Sequence, residues 1–127
     1  MAVLQMPTTL STTSPRALVL EDEALILMAI EAVLSDARYE VLTASTGPQA
    51  LALLDAHTFD VAVLDIGLKS GSSIEIADAL LKRAIPFVFS TGSSDSVPIE
   101  FAAIPIITKP FAEKDLISLV GSVLAPR

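Results

Sequence analysis

From Arg16 onward the chain alternates short apolar runs of strand type with longer stretches of helical character, and few folds accept that alternation. Residues 17–20, 61–64, 86–89 and 104–107 are runs without a single polar side chain. Such continuous runs mark strands buried on both faces, as in a parallel sheet covered by helices. Residues 40–44 read as a further strand. Between the strands, the spacing predicts helices over 23–37, 47–56, 72–83 and 112–124. Ser45 or Thr46 is placed to cap the second helix, with Pro48 in its first turn, and Ser72 or Ser73 to cap the third, followed by Glu75. In the last helix the expected apolar stripe is Leu116, Ile117, Val120, Val123 and Leu124.

Strands alternating with helices predict an α/β fold. With right-handed crossovers it becomes a flavodoxin-like, doubly wound, five-stranded parallel sheet of order 2-1-3-4-5. Residues 92–103 carry Ser93, Ser94, Ser96 and Pro98, so the fourth helix is expected to be shortened. Residues 1–15, with clustered Pro, Ser and Thr, read as an N-terminal appendage, and 16–127 as one domain. A length of 127 residues suits one domain, and 52% apolar residues allow it a sizeable core. That apolar content does not describe a membrane span. Runs 24–30 and 101–107 are seven residues each, far short of the roughly 18 a spanning helix needs. Neither a basic start nor a long apolar stretch marks a signal peptide, so a cytoplasmic setting is expected.

In such sheets ligands bind beyond the carboxyl ends of the strands, where strands 1 and 3 diverge. Glu21 and Asp22 leave the first strand, Asp65 the third, Thr91 the fourth and Lys109 the fifth. Three carboxylates at one surface repel one another, and a cation or Lys109 would relieve that repulsion. The chain has no Cys and one His, so the donors are hard oxygens suited to Mg²⁺ or Mn²⁺ rather than zinc. A carboxylate beside such an ion is a plausible nucleophile toward a phosphoryl group. Lys109 would act as a point charge on the phosphoryl oxygens, and Thr91 would donate a hydrogen bond to one. A net charge of −7 without a basic run argues against nucleic acid or an anionic membrane as partner.

The segments Leu20-Glu21-Asp22-Glu23, Val63-Leu64-Asp65-Ile66-Gly67, Phe87-Val88-Phe89-Ser90-Thr91-Gly92 and Ile107-Thr108-Lys109-Pro110-Phe111, in that order, resemble the CheY-like receiver domains of two-component response regulators. The resemblance covers residues 16–125. It implies that Asp65 is the phosphoacceptor, Asp22 a direct metal ligand, and Glu21 a second acid acting through water. It further implies that the Gly67 carbonyl ligates the metal, that Thr91 is the switch hydroxyl and Lys109 the site lysine, and that Lys109-Pro110 is a cis peptide. The fifth strand holds Ile106 and no Tyr, which removes the aromatic partner of a Thr-linked rotamer switch. The loop Gly67-Leu68-Lys69-Ser70-Gly71 lacks the family's common Pro. With Phe89-Ser90-Thr91-Gly92 in place of Phe-Ala-Thr-Gly, the chain looks similar to the single-domain "FAT GUY" receivers of alphaproteobacterial stress signalling, although no Tyr follows.

The resemblance implies a signalling protein, not an enzyme, phosphorylated by a histidine kinase or phosphotransfer protein. No output domain is expected after the last helix, so output is expected through protein contacts or by draining phosphate off other regulators. Two other functions compete: a phosphorylation-independent binding module, and an Asp-nucleophile phosphohydrolase. Against the latter, Gly67 stands where such an enzyme places its second Asp. His57, at a helix end, reads as exposed and Phe111 as core. In the first helix, Ile26, Ala29 or Ile30, and Val33 should be buried, leaving Leu25, Met28 and Ala32 as an apolar outer face. That face suits the helical bundle of a phosphodonor, with the N-terminal appendage or a second copy in a weak homodimer as the other occupants.

Overall fold

The structure is a computed structural model that describes residues 14–68, 73–92 and 97–124. Strands β1 (Arg16–Leu20), β2 (Glu40–Ala44), β3 (Val61–Asp65), β4 (Phe87–Thr91) and β5 (Ile106–Thr108) form one parallel sheet of order β2-β1-β3-β4-β5. The connections carry helices α1 (Ala24–Asp36), α2 (Gly47–Ala56) and α3 (Ser73–Lys82), and α4 (Glu113–Val123) closes the fold. Both strand order and parallel sense agree with the sequence expectation. Between β4 and β5 the described residues hold only a 3₁₀ turn, Ile99–Phe101. Ser72, Lys69 to Gly71, Ser93 to Ser96 and residues 1–13 lie outside the described residues. Just before β1, the Pro15 carbonyl accepts from Glu40 N at 2.9 Å.

Side chains of a strand alternate between faces, so each buried strand feeds two cores. Ala17, Val19, Val61, Val63, Val88 and Ile107 pack with Ile30, Leu34, Leu116 and Val120 of α1 and α4. Leu18, Leu20, Ala62, Leu64, Phe87 and Phe89 pack with Leu54, Ile76 and Leu80 of α2 and α3. The 3₁₀ turn contributes to this second core through Phe101, whose ring meets Phe89 edge-on at 6.0 Å. Phe89 meets Phe87 the same way at 5.5 Å. Such contacts add about 0.5–1.5 kcal/mol each beyond burial, so aromatic packing between β4 and this turn stabilises the sheet.

Local signals account for most element ends. Thr46 caps α2, accepting from Gln49 N at 3.3 Å, and the Gln49 side chain returns to Ser45 N at 2.8 Å. Ser73 is the first residue of α3, and its hydroxyl instead donates to the Ile66 carbonyl at 3.1 Å. Helices α1 and α3 end in paired reverse bonds, Tyr39 N to Leu34 O and Ile85 N to Leu80 O, both 3.0 Å. The left-handed residues of these ends are Arg38 (φ 76°) and Ala84 (φ 56°), not glycine.

Elsewhere the structure departs from the sequence expectation. β5 begins at Ile106, not 104, because Ile104 N closes the preceding turn onto Phe101 O and Pro105 has no N–H to donate. β4 runs two residues further than expected, to Thr91, because β5 pairs it as far as Thr108. In α4, Ile117 is exposed and Leu119 takes its place against the core, one helical turn on from Leu116. Phe111 is half-buried against the α1–α4 core, and His57 is exposed beside Phe59.

Candidate functional site

The carboxyl ends of β1, β3, β4 and β5 gather the five charged and hydroxyl residues named from the sequence. Glu21 follows β1, tied to β2 through its own N–H on Ala44 O at 3.1 Å, and is fully buried. Asp22 beside it is half-buried. Asp65 ends β3 and is 2% exposed. These three acids each offer an oxygen, all within 4.8 Å of one another. Their hard oxygens, with neither thiol nor imidazole among them, fit a small divalent cation such as Mg²⁺ or Mn²⁺.

Lys109 stands one residue past β5 and reaches back over the sheet. Its Nζ lies 2.8 Å from Glu21 Oε1 and 3.3 Å from Asp65 Oδ1. The peptide between Lys109 and Pro110 is cis, as the resemblance implies, and Lys109 N donates to Thr91 O at 2.8 Å. Burial alone would lower the lysine's affinity for its proton. Hydrogen bonding to Glu21 and the charges of Asp65 and Glu21 win, and its pKa is raised above the ordinary 10.5. For Glu21 the balance goes the other way. Burial raises its pKa above 4.5, more than Lys109 and the Glu23 N–H (on Oε2 at 3.1 Å) can lower it, and Asp65 adds to the rise. Lys109 therefore holds its proton more tightly than a free lysine, and the buried Glu21 carboxylate gains from the positive neighbour.

The loop after Asp65 is held in three places. Gly67 N donates to Asp65 Oδ1 at 2.9 Å, Ile66 N to Ser90 O at 3.0 Å, and Ser73 Oγ to Ile66 O at 3.1 Å. Gly67 thus touches the acid through its N–H. Thr91 ends β4 next to Asp65's strand, and its hydroxyl donates to Gly92 O at 2.7 Å. Two contributors escaped sequence reasoning. The sequence suggests only a helix cap for Ser73, yet its hydroxyl fastens the Asp65 loop. Ser90 was part of a motif, yet it proves to be Asp65's register partner in the β3–β4 ladder. Only tertiary contacts reveal either role, a helix-to-loop hydrogen bond for Ser73 and the β3–β4 ladder for Ser90.

A gentle groove of about 520 Å³ runs beside the site, lined by Glu23, Leu25, Ile26 and Ala29 of the α1 region and by Lys109, Pro110 and Phe111. Leu25 is 82% and Met28 61% exposed, and Ala29 and Ala32 are exposed as well. Ile30 and Val33 are buried and Ile26 half-buried, so α1 shows the outer apolar face its sequence predicts. No helix among the described residues is long and apolar enough to cross a membrane.

Comparison with known proteins gives one consistent result. The family model for the response regulator receiver domain matches residues 17–121. The transcriptional regulatory protein KdpE of Mycobacterium tuberculosis is 36% identical over 106 residues, covering 80% of this chain and 47% of that protein. The transcriptional regulatory protein PdtaR of the same species is 32% identical over 111 residues, 83% of this chain and 54% of that protein. The chain thus spans about half the length of these relatives. Among solved structures, SdrG from Sphingomonas melonis Fr1 superposes with a TM-score of 0.77 at 34% identity, covering 91% of this chain and all of that one. A response regulator receiver protein from Sinorhizobium medicae gives 0.76 at 26% identity, over 87% of this chain and 94% of that one.

Proposed function

The chain belongs to the response regulator receiver family, and we propose that it accepts a phosphoryl group on Asp65 from a histidine kinase or phosphotransfer protein. The observation that carries this reading is the Lys109 ammonium held between Glu21 and Asp65 at the ends of three strands. An Asp65 oxygen attacks phosphorus, the bond to the donor's imidazole nitrogen breaks, and an acyl phosphate remains. Asp65 is suited to this because the Gly67 N–H fixes one of its oxygens and the loop behind it is fastened through Ile66 and Ser73. Lys109 is placed to move onto the incoming phosphoryl oxygens as a point charge, and Thr91 to turn its hydroxyl from Gly92 O toward them.

Glu21, Asp22, Asp65 and the Gly67 carbonyl would hold Mg²⁺ or Mn²⁺, Glu21 through a water. The ion, when bound, supplies charge neutralisation for carboxylate and phosphoryl group together. The α1 face with Leu25 and Met28 and the groove toward Phe111 border this site and suit a helical partner. Residues 16–127 are read as the receiver unit, working in the cytoplasm, with the stress-signalling subtype as part of the same reading.

The test is mass spectrometry after incubation with acetyl phosphate and Mg²⁺. Wild type should gain one phosphoryl group and Asp65→Asn none; a variant that gains it sinks the assignment.

A further inference from the structure

Among the described residues, the Ser90 hydroxyl is fully buried and has no hydrogen-bond partner. An unpaired buried hydroxyl opposes folding, and the β4 residues before Ser90, Phe87, Val88 and Phe89, are all apolar. Departures of this kind gather at functional positions, where another demand outweighs stability.

The position of Ser90 supplies that demand. In the β3–β4 ladder Val63 pairs with Val88, and two residues on Asp65 pairs with Ser90. Val63 and Val88 share the core against α1 and α4, and strand alternation returns Asp65 and Ser90 to that same face. Lys109 starts beside β4, its N–H on Thr91 O, yet its ammonium reaches Asp65 on the far side of β4 and Glu21 beyond. Neighbouring strands lie about 4.8 Å apart, so the lysine stem must cross the end of β4 close to Ser90. An ammonium carries three N–H donors, and here Glu21 and Asp65 face it.

We propose that Ser90 is a positioning residue for Lys109, its hydroxyl accepting a hydrogen bond from the ammonium once Lys109 turns from Glu21 toward a phosphoryl group on Asp65. The proposal rests on the phosphoacceptor reading above. Ser90 is then a polar group without a partner in the resting protein and with one in the phosphorylated state. Its unpaired hydroxyl destabilises the first state relative to the second, so it biases Lys109 toward the phosphoryl group.

The experiment compares wild type, Ser90→Ala and Ser90→Cys in two states, metal-free and loaded with Mg²⁺ and beryllofluoride, a phosphoryl mimic. Ser90→Ala should raise the metal-free melting temperature by about 4 °C, because an unsatisfied group is removed. In the loaded state that gain should vanish or reverse. Phosphorylation by acetyl phosphate should slow roughly threefold to tenfold, the range of one hydrogen bond. Ser90→Cys, similar in size but a weak acceptor, should slow it likewise. Equal shifts in both states, an unchanged rate, full activity in Ser90→Cys, or a lower metal-free melting temperature for Ser90→Ala would each overturn the proposal. Wild type that neither responds to beryllofluoride nor gains a phosphoryl group would remove the phosphoacceptor reading itself, and this proposal with it, whatever the variants do.

Discussion

Lys109 Nζ lies closer to Glu21 Oε1, at 2.8 Å, than to Asp65 Oδ1, at 3.3 Å. The lysine is thus shared between the two buried acids, with the shorter contact to Glu21 rather than to Asp65, the proposed phosphoacceptor. A bound cation and a phosphoryl group would pull this arrangement apart from opposite sides, the cation taking Glu21 and the phosphoryl taking Lys109.

Glu21→Gln should stabilise the metal-free protein, with a defined pH dependence. Burial raises the pKa of Glu21 above 4.5, so the native state binds its proton more tightly than the unfolded chain does. The resulting stability is fully present below pH 4.5 and is lost as pH rises through the raised folded value. Glu21→Gln lacks that loss. Denaturation midpoints of the two proteins should therefore diverge as pH rises above 4.5 and run parallel once Glu21 is ionised. Parallel curves throughout would show that Lys109 compensates the burial completely.

Asp22→Ala should weaken Mg²⁺ binding by at least about tenfold, the loss seen even when groups merely supporting a ligand are removed. Asp22 is half-buried at the lip of the acid cluster, so its loss leaves no void in the core. Calorimetric titration of Mg²⁺ into both proteins checks this; equal affinities would exclude Asp22 from the ion's ligands.

Lys109→Ala should still accept a phosphoryl group on Asp65, more slowly, but lose the conformational response. Glu21 would then lie buried with no cation beside it and take up a proton at higher pH. Amide spectra with and without beryllofluoride report the response. Full-size shifts in α4 and β5 would show that Lys109 does not transmit it.

Leu25→Glu with Met28→Glu should slow transfer from a protein donor roughly tenfold and spare acetyl phosphate, since both side chains are exposed and outside the acid cluster. Equal losses with both donors would mean damage to the site. No loss with either would dismiss the α1 face as the docking surface.

Ala84→Gly should raise stability by about 0.5 kcal/mol. A left-handed non-glycine residue costs roughly 1–2 kcal/mol, and glycine's extra freedom in the unfolded chain returns about 0.4–1 kcal/mol of that. Ala84 holds φ 56° where α3 turns back through Ile85 N to Leu80 O. Urea denaturation checks the sign; a destabilised variant would show that the alanine methyl is needed there.

The amino-acid sequence alone determined which residues reach the site. Helix α2 was read to the residue because Thr46, Pro48 and Gln49 act within one turn of each other. Strand β2 was read to the residue as well. Short apolar runs ending in Glu21, Asp65 and Lys109 bring those groups to one edge in any parallel sheet of this order, so the cluster was legible from spacing. Tertiary structure alone decided what depends on register between distant segments. The start of β5 at Ile106 follows from the turn at Phe101, and the choice of Leu119 over Ile117 follows from where α4 lies on the sheet. The lysine's preference for Glu21, 88 positions back (109 − 21), and the pairing of Ser90 with Asp65 have no local trace. Propensity, caps and hydrophobic period act over a few neighbouring residues and are written into them. Which polar group faces which across four strands is set only when the whole sheet assembles, and that assembly sets the partly exposed Lys109 ammonium 2.8 Å from the fully buried Glu21 carboxylate.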